Sequence, residues 1–396
     1  MTHPIRAKRS SRRGVRVSAV ALAATGALAL SACGPSLNLV TAPWSESQAV
    51  ISSTVFGGED ITFDEEPMIS VDGGRINNVV VKAAKSGDRV GGTLAEGGSA
   101  WKLNTSDLEF GTKYRVTASA VDLRGKETVS KDSFTTFTPE KQIEVTTNVW
   151  DGSTYGVGMP ITVSFSEPVA NRADIERRLE VSTNAKSQVA GRWSWDSDTF
   201  VSYRPKEYWP ANTKVSLNAD IKGVHAGGGA YAMENTTRDF SIGSANIMKV
   251  DAASHYMTFK RNGKVINTMP VSTGKPGYAT RSGIKVLMSK ERNIIFTADV
   301  AESDPEYYKI PIAIAMRLTW SGEYIHSAPW SVGSQGNSNV SHGCVNVSTG
   351  NAEWIMQNSN VGDIVEVVNS GRAQDLGNGI TVWNESWSDW KADSAI

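Results

Sequence analysis

The chain has 396 residues, 40% of them hydrophobic, 8% aromatic and 20% charged, with 36 Gly and 14 Pro. At roughly 150 residues per domain this is a chain of two to three domains. Its composition excludes wholesale disorder, a collagen-like repeat and a multi-span membrane protein. Lys and Arg number 40 against 41 Asp and Glu, but six of the basic residues lie before residue 33 with no acid among them. The remainder is acidic and lacks the basic footprint of a nucleic-acid binder.

Arg6, Lys8, Arg9, Arg12, Arg13 and Arg16 precede an apolar stretch from Val17 to Leu30, after which comes Leu30-Ser31-Ala32-Cys33. The apolar run is shorter than the ~20 residues a helix needs to cross a bilayer. Charged, apolar and small residues in that order read as a signal peptide over 1–32. Leu-Ser-Ala-Cys resembles a bacterial lipobox, which implies lipidation of Cys33 and a lipid-anchored protein on the extracytoplasmic face of the cell membrane. Ser11-Arg12-Arg13 is similar to a twin-arginine signal, and the export route stays open. With Cys33 lipidated, Cys344 has no partner for the disulfide usual in exported chains. A lone thiol there is an oxidation liability, which points to a chemical use, a buried inert cysteine being the alternative.

Residues 33–50, with Pro35, Pro43 and several Ser, read as a tether. From 51 to 138 short alternating runs such as Tyr114–Val121 stand between Gly and Asp turns, the spacing of an immunoglobulin-like β-sandwich. The segment 139–244 repeats the plan. Thr112-Lys113 returns as Thr213-Lys214, and Asp132-Ser133-Phe134 returns as Arg238-Asp239-Phe240. A period near 100 residues fits tandem sandwiches serving as spacers, with a binding role as the alternative.

The segment 245–370 is a third, mainly β domain. Met257-Thr258-Phe259 and Lys264–Pro270 flank the hairpin turn Arg261-Asn262-Gly263. Further strands are expected at 293–298, 311–319 and 322–327, a helix capped by Ser348 or Thr349 through about Asn358, and a buried strand over 363–368. The tail, 371–396, carries Trp383, Trp387 and Trp390, whose spacing predicts an apolar face packing onto the domain.

Two of the five histidines lie near Cys344, in Tyr324-Ile325-His326-Ser327-Ala328-Pro329-Trp330 and Ser341-His342-Gly343-Cys344-Val345-Asn346. A thiol is only a few per cent thiolate at neutral pH, so nucleophilic use needs a nearby base that is itself oriented. In an alternating strand Tyr324 and His326 share a face, which lets His326 project into a cleft as that base. His342 either shapes the loop or donates to substrate. Gly343 keeps the backbone clear for a substrate carbonyl, and the Cys344 amide can meet the oxyanion. The pattern predicts a Cys-His acyl-transfer enzyme, against the plainer reading of surface histidines beside a buried cysteine. Zinc is disfavoured, because His342 and Cys344 lack paired-ligand spacing.

His326, fourteen intervening residues and Ser341-His342-Gly343-Cys344-Val345-Asn346 resemble the signature of the L,D-transpeptidases of bacterial cell walls, with their YkuD-type catalytic domain. The tandem sandwiches, the His-Ser-Ala-Pro-Trp run and the Trp-rich tail are similar to the actinobacterial lipoprotein branch. The resemblance implies two immunoglobulin-like sandwiches, then a β-sandwich catalytic domain. Cys344 would attack the third residue of a donor tetrapeptide stem, expel the terminal D-Ala and pass the acyl group to a neighbouring stem as a 3→3 crosslink. It also implies that the carbonyl of Ser327 orients His326, and that Tyr308 is a lid tyrosine within roughly 290–313. Ser321 and Gly322 would form a backbone strip along the stem, with Ser341, His342 and Gly343 at the substrate and Asn346 binding the donor. Carbapenems would acylate Cys344, and neither metal nor cofactor is required. Hydrolysis of the same stems, or a wall-binding lipoprotein with a vestigial catalytic domain, are the alternatives.

Overall fold

The computed structural model describes residues 46–63, 66–298 and 300–396. The segments expected to be an export signal and most of a tether, with Cys33 between them, lie outside the described residues. The first sandwich sets Val50–Ser53, Met68–Asp72, Ala100–Leu103 and Gly92–Leu94, in that order, against Arg89–Val90, Gly74–Ala83, Lys113–Asp122 and Glu127–Thr135. Lys113–Asp122 shows why the alternation forces this. Tyr114, Val116, Ala118 and Ala120 are buried in the interior while the residues between them reach outward. In the second sandwich Val145–Thr147, Ile161–Phe165, Phe200–Pro205 and Gly191–Trp195 face Thr154–Tyr155, Thr236–Ile242, Lys214–Ala219 and Leu179–Thr183. The repeat is visible in register. Tyr114 lies opposite Phe134 in the first unit and Val215 opposite Phe240 in the second, each one residue beyond a Thr-Lys pair.

The third domain is also two sheets. Its strands are β1 (Asn246–Asp251), β2 (Tyr256–Arg261), β3 (Lys264–Pro270), β4 (Gly283–Val286), β5 (Ser289–Thr297), β6 (Lys309–Arg317), β7 (Tyr324–Ser327), β8 (Val345–Val347) and β9 (Ile364–Val368), with helix α1 (Thr349–Asn358) before β9. One sheet runs β3-β2-β1-β9-β4 and the other β5-β6-β7-β8. The β2–β3 turn carries Asn262 and Gly263 at φ +50° and +82°, the left-handed pair a two-residue hairpin demands. Ser348 caps α1 by accepting from the Asn351 N–H at 3.2 Å. Phe259, Met316, Ile325, Val345, Val347, Ile355 and Val365 fill the space between sheets and helix, each fully buried.

The second sandwich and the third domain share a core, since Val286 and Ile364 belong to the second sandwich's buried cluster. The approach needs glycine. A Cβ on Gly156 would stand 2.1 Å from the Asp363 nitrogen, where the Gly156 N–H donates to Val361 O at 2.8 Å.

The tail corrects an expectation. Its tryptophans do not form one helical face on the domain they follow. Trp383 sits in a separate turn (Val382–Asn384) before α2 (Trp387–Ala392). All three rings gather around Arg204 of the second sandwich, its guanidinium 5.1, 5.2 and 4.9 Å from Trp383, Trp387 and Trp390. The indole N–H groups of Trp383 and Trp390 donate to Gly158 O and Arg192 O. A buried cation needs such faces as well as hydrogen bonds. Among the described residues no helix is long and apolar enough to cross a membrane.

Candidate active site

Strands β7 and β8 run parallel, pairing Ile325 with Val345 and His326 with Asn346. Ile325 turns into the core while Tyr324 and His326 stay on the cleft side. The cleft has a volume of about 360 Å³, and Cys344, His326, Tyr308, His342, Asn346 and Trp330 line it. Continuing the β7–β8 register sets Cys344 beside Tyr324.

Two backbone groups of the β6–β7 turn hold the Cys344 sulfur. The thiol donates to Gly322 O at 3.5 Å, and the Tyr324 N–H points at the sulfur and favours its ionised form. Burial opposes this and wins, pushing the thiol up to about 12, with the negative charge of Glu323 adding to the rise. Gly322 has φ +94°, a conformation that favours glycine.

His326 is buried, and its Nδ1 lies 3.0 Å from Ser327 O. A carbonyl only accepts, so Nδ1 carries the proton and Nε2 the lone pair. Burial pushes the imidazole down to about 4, although the Ser327 carbonyl and the Asn346 side chain both favour its protonated form. At neutral pH the pair therefore rests as a neutral thiol and a neutral imidazole. Asn346 donates through Nδ2 to Ser331 Oγ at 3.1 Å, which leaves its buried Oδ1 without a hydrogen-bond partner.

The loop before Cys344 is braced from within. Ser341 Oγ donates to Cys344 O at 2.6 Å and accepts from the Gly343 N–H at 3.1 Å. Thr280 Oγ1 donates to Gly343 O at 2.8 Å. Ser341, at the cleft lining, thus uses its hydroxyl to brace the loop. Gly343, at φ +122°, is required by conformation: a Cβ there would meet only ordinary contacts near 3.7 Å. His342 is exposed at the mouth of the cleft. Its Nε2 stands 2.5 Å from Glu306 Oε2, which Lys275 also reaches at 2.8 Å. Tyr278 and Tyr308 flank the His342 ring at 4.8 and 5.3 Å. The segment joining β5 to β6 is thereby fastened over the cysteine loop, with Tyr308 at the cleft. Burial, and then the neighbouring Cys344 charge, raise the Tyr308 phenol above its ordinary value.

Ser321 is exposed and is not among the residues that line the cleft. Asn378 of the tail grips it twice, accepting from its N–H at 3.0 Å and donating to its Oγ at 2.9 Å. No local pattern announces this grip, the Glu306–His342 contact, or the partners Arg281 and Lys285 of Glu323. For Glu323 a signal exists: alternation along Glu323-Tyr324-Ile325 puts it on the same inward side as Ile325. Among the described residues no group of three or more His, Cys, Asp or Glu could hold a metal.

Comparison with known proteins fits this geometry. The L,D-transpeptidase catalytic domain model matches residues 245–367, and a bacterial Ig domain model matches 58–225. L,D-transpeptidase 2 of Mycobacterium tuberculosis is 33% identical over 348 residues, spanning 87% of this chain and 84% of its own. L,D-transpeptidase 1 of the same species is 38% identical over 221 residues, 55% of this chain and 82% of its own. An LD transpeptidase solved in complex with imipenem superposes with a TM-score of 0.50 at 37% identity, covering 58% of this chain and all of that one. With its cysteine loop on a YkuD-type sandwich behind immunoglobulin-like domains, the chain belongs to the L,D-transpeptidase family.

Proposed function

We propose that this L,D-transpeptidase builds 3→3 crosslinks between peptidoglycan stems through a thioester on Cys344. The observation that carries the reading is that Cys344 and His326 line one cleft, with the His326 tautomer fixed by the Ser327 carbonyl so that Nε2 is the base. A donor tetrapeptide fills the cleft with its third-residue carbonyl over Cys344. The sulfur forms its bond to that carbon as His326 takes the thiol proton, so charge appears only with the attack. The oxyanion is received by the Cys344 N–H, since Ser341 already engages the Gly343 N–H. Collapse breaks the C–N bond to D-Ala, whose amine takes the proton from His326. A side-chain amine of a second stem then attacks the thioester and gives its proton to His326; the C–S bond breaks, and the departing thiolate takes that proton back from His326.

Asn346 Oδ1, buried without a partner, suits a donor N–H. Tyr308 closes the rim, and Ser321 and Gly322 line the stem's path. A carbapenem enters the same route because its strained carbonyl mimics the donor acyl group. The chain is exported and held by lipid on Cys33 at the outer membrane face, with the sandwiches carrying the site toward the wall.

The test is the product spectrum on purified disaccharide-tetrapeptides. Dimers joined through the third residues, with release of D-Ala, are expected. Shortened monomers alone would instead make the enzyme a carboxypeptidase, with water resolving the thioester.

A further inference from the structure

The turn that grips the sulfur is anchored by a buried charge cluster. Glu323 follows Gly322 and precedes Tyr324, the two residues whose backbone touches Cys344, and its side chain is 5% exposed. Its Oε1 accepts from the Arg281 N–H at 3.1 Å and from Arg281 Nη1 at 2.9 Å. Its Oε2 faces Lys285 Nζ at 3.2 Å as an ion pair without hydrogen-bond alignment. Lys285, 1% exposed, also donates to Arg281 O at 2.7 Å and to Gln374 of the tail. Arg281 Nε meets Asp375 of the tail at 2.7 Å. On its other side the Glu323 methylenes lie beneath Gly343, directly before the nucleophile.

Burying a carboxylate is unfavourable unless the surroundings hold it in one geometry. A turn needing only to close would be served by an apolar residue at this inward position. The charge adds direction, because both cationic partners, themselves held by the tail, must be in place to neutralise the carboxylate. We propose that Glu323 is a positioning residue for the catalytic thiol: held by Arg281 and Lys285, it fixes the Gly322 and Tyr324 backbone around the Cys344 sulfur and ties that grip to the tail. The proposal rests on Cys344 being the nucleophile. The ionisable groups around the sulfur are His326 on β7, Tyr324 beside it, Tyr308 and His342 at the rim, and Glu323 below; Arg281, Lys285 and Asp375 face Glu323 in turn.

The test uses the full chain with Glu323→Gln and Glu323→Asp. The rate of iodoacetamide alkylation is followed against pH at the peptide carrying Cys344, and imipenem acylation is followed in parallel. Glu323→Gln keeps the shape and loses the charge, so the alkylation midpoint moves to lower pH, on the order of one pH unit. Glu323→Asp keeps the charge but shortens the reach, so the midpoint stays and acylation falls by about tenfold or more. Either variant decides alone if the other does not fold. Wild-type midpoint and acylation in Glu323→Gln, or wild-type acylation in Glu323→Asp, overturn the proposal even if thermal stability falls. Imipenem acylation of the unaltered protein is the control that separates failure of this inference from failure of the nucleophile assignment.

Discussion

Cys344 is held from two sides that differ in kind. Below it lie the half-buried Gly322 and Tyr324 backbone and, beneath them, the buried Glu323 and Lys285. Above it the β5–β6 connection is fastened by contacts that water reaches, with His342 and Glu306 side chains 31% and 40% exposed. In the buried half, desolvation sets protonation, which is why thiol and imidazole both rest neutral. In the exposed half, ion pairs are screened and break easily, as suits a cover over a cleft that substrate must enter. One protein thus uses charge in two ways, rigidly where it is dry and reversibly where it is wet.

The comparison can be broken at graded cost. Cys344→Ala should abolish crosslinked dimers on tetrapeptide muropeptides while the melting temperature stays near that of the parent; residual turnover would remove the cysteine from the chemistry. His326→Ala should slow acylation by about 10²–10⁴-fold, the range for loss of a general base. In the unaltered protein the acylation rate should stay level near neutrality and fall only as the pH drops toward about 4, where His326 takes up a proton. A rise through pH 6–7 would mean that the imidazole titrates at its ordinary value and that water reaches the His326 side of the site. Trp390→Ala removes a fully buried ring from the Arg204 cage and should cost about 3–5 kcal/mol of stability in calorimetry, with acylation by imipenem retained. The smallest effect belongs to the exposed half. Glu306→Gln should alter KM for the donor by less than about fivefold and leave kcat unchanged, and added salt should shrink even that difference.

Much of this was legible in the chain because local rules and tertiary packing agree. Alternation in Tyr114–Val121 yields a sandwich strand, Asn262-Gly263 a hairpin and Ser348 a helix cap. The cysteine loop was legible because its residues are contiguous. His326 was legible because the strand period turns it away from Ile325 into the cleft. What escaped depends on segments distant in sequence. Nothing near Asn378 announces that it grips Ser321, and nothing near Trp390 announces a cage around Arg204. Ser341 shows the complementary limit: a motif marks a residue as belonging to the site but does not say whether its hydroxyl faces substrate or its own loop. Glu323 was within reach of the period-2 rule, yet an inward charge reads as misplaced until Arg281 and Lys285 are seen beside it.

Nothing bears more squarely on Cys344 as acyl carrier than peptide mapping by mass spectrometry after brief exposure of the full chain to a tetrapeptide donor without acceptor. A single adduct on the peptide carrying Cys344, of mass equal to the donor less D-Ala and reversed by hydroxylamine, is the expected result. An unmodified Cys344 peptide alongside released D-Ala, or an acyl group found on another residue, would contradict it.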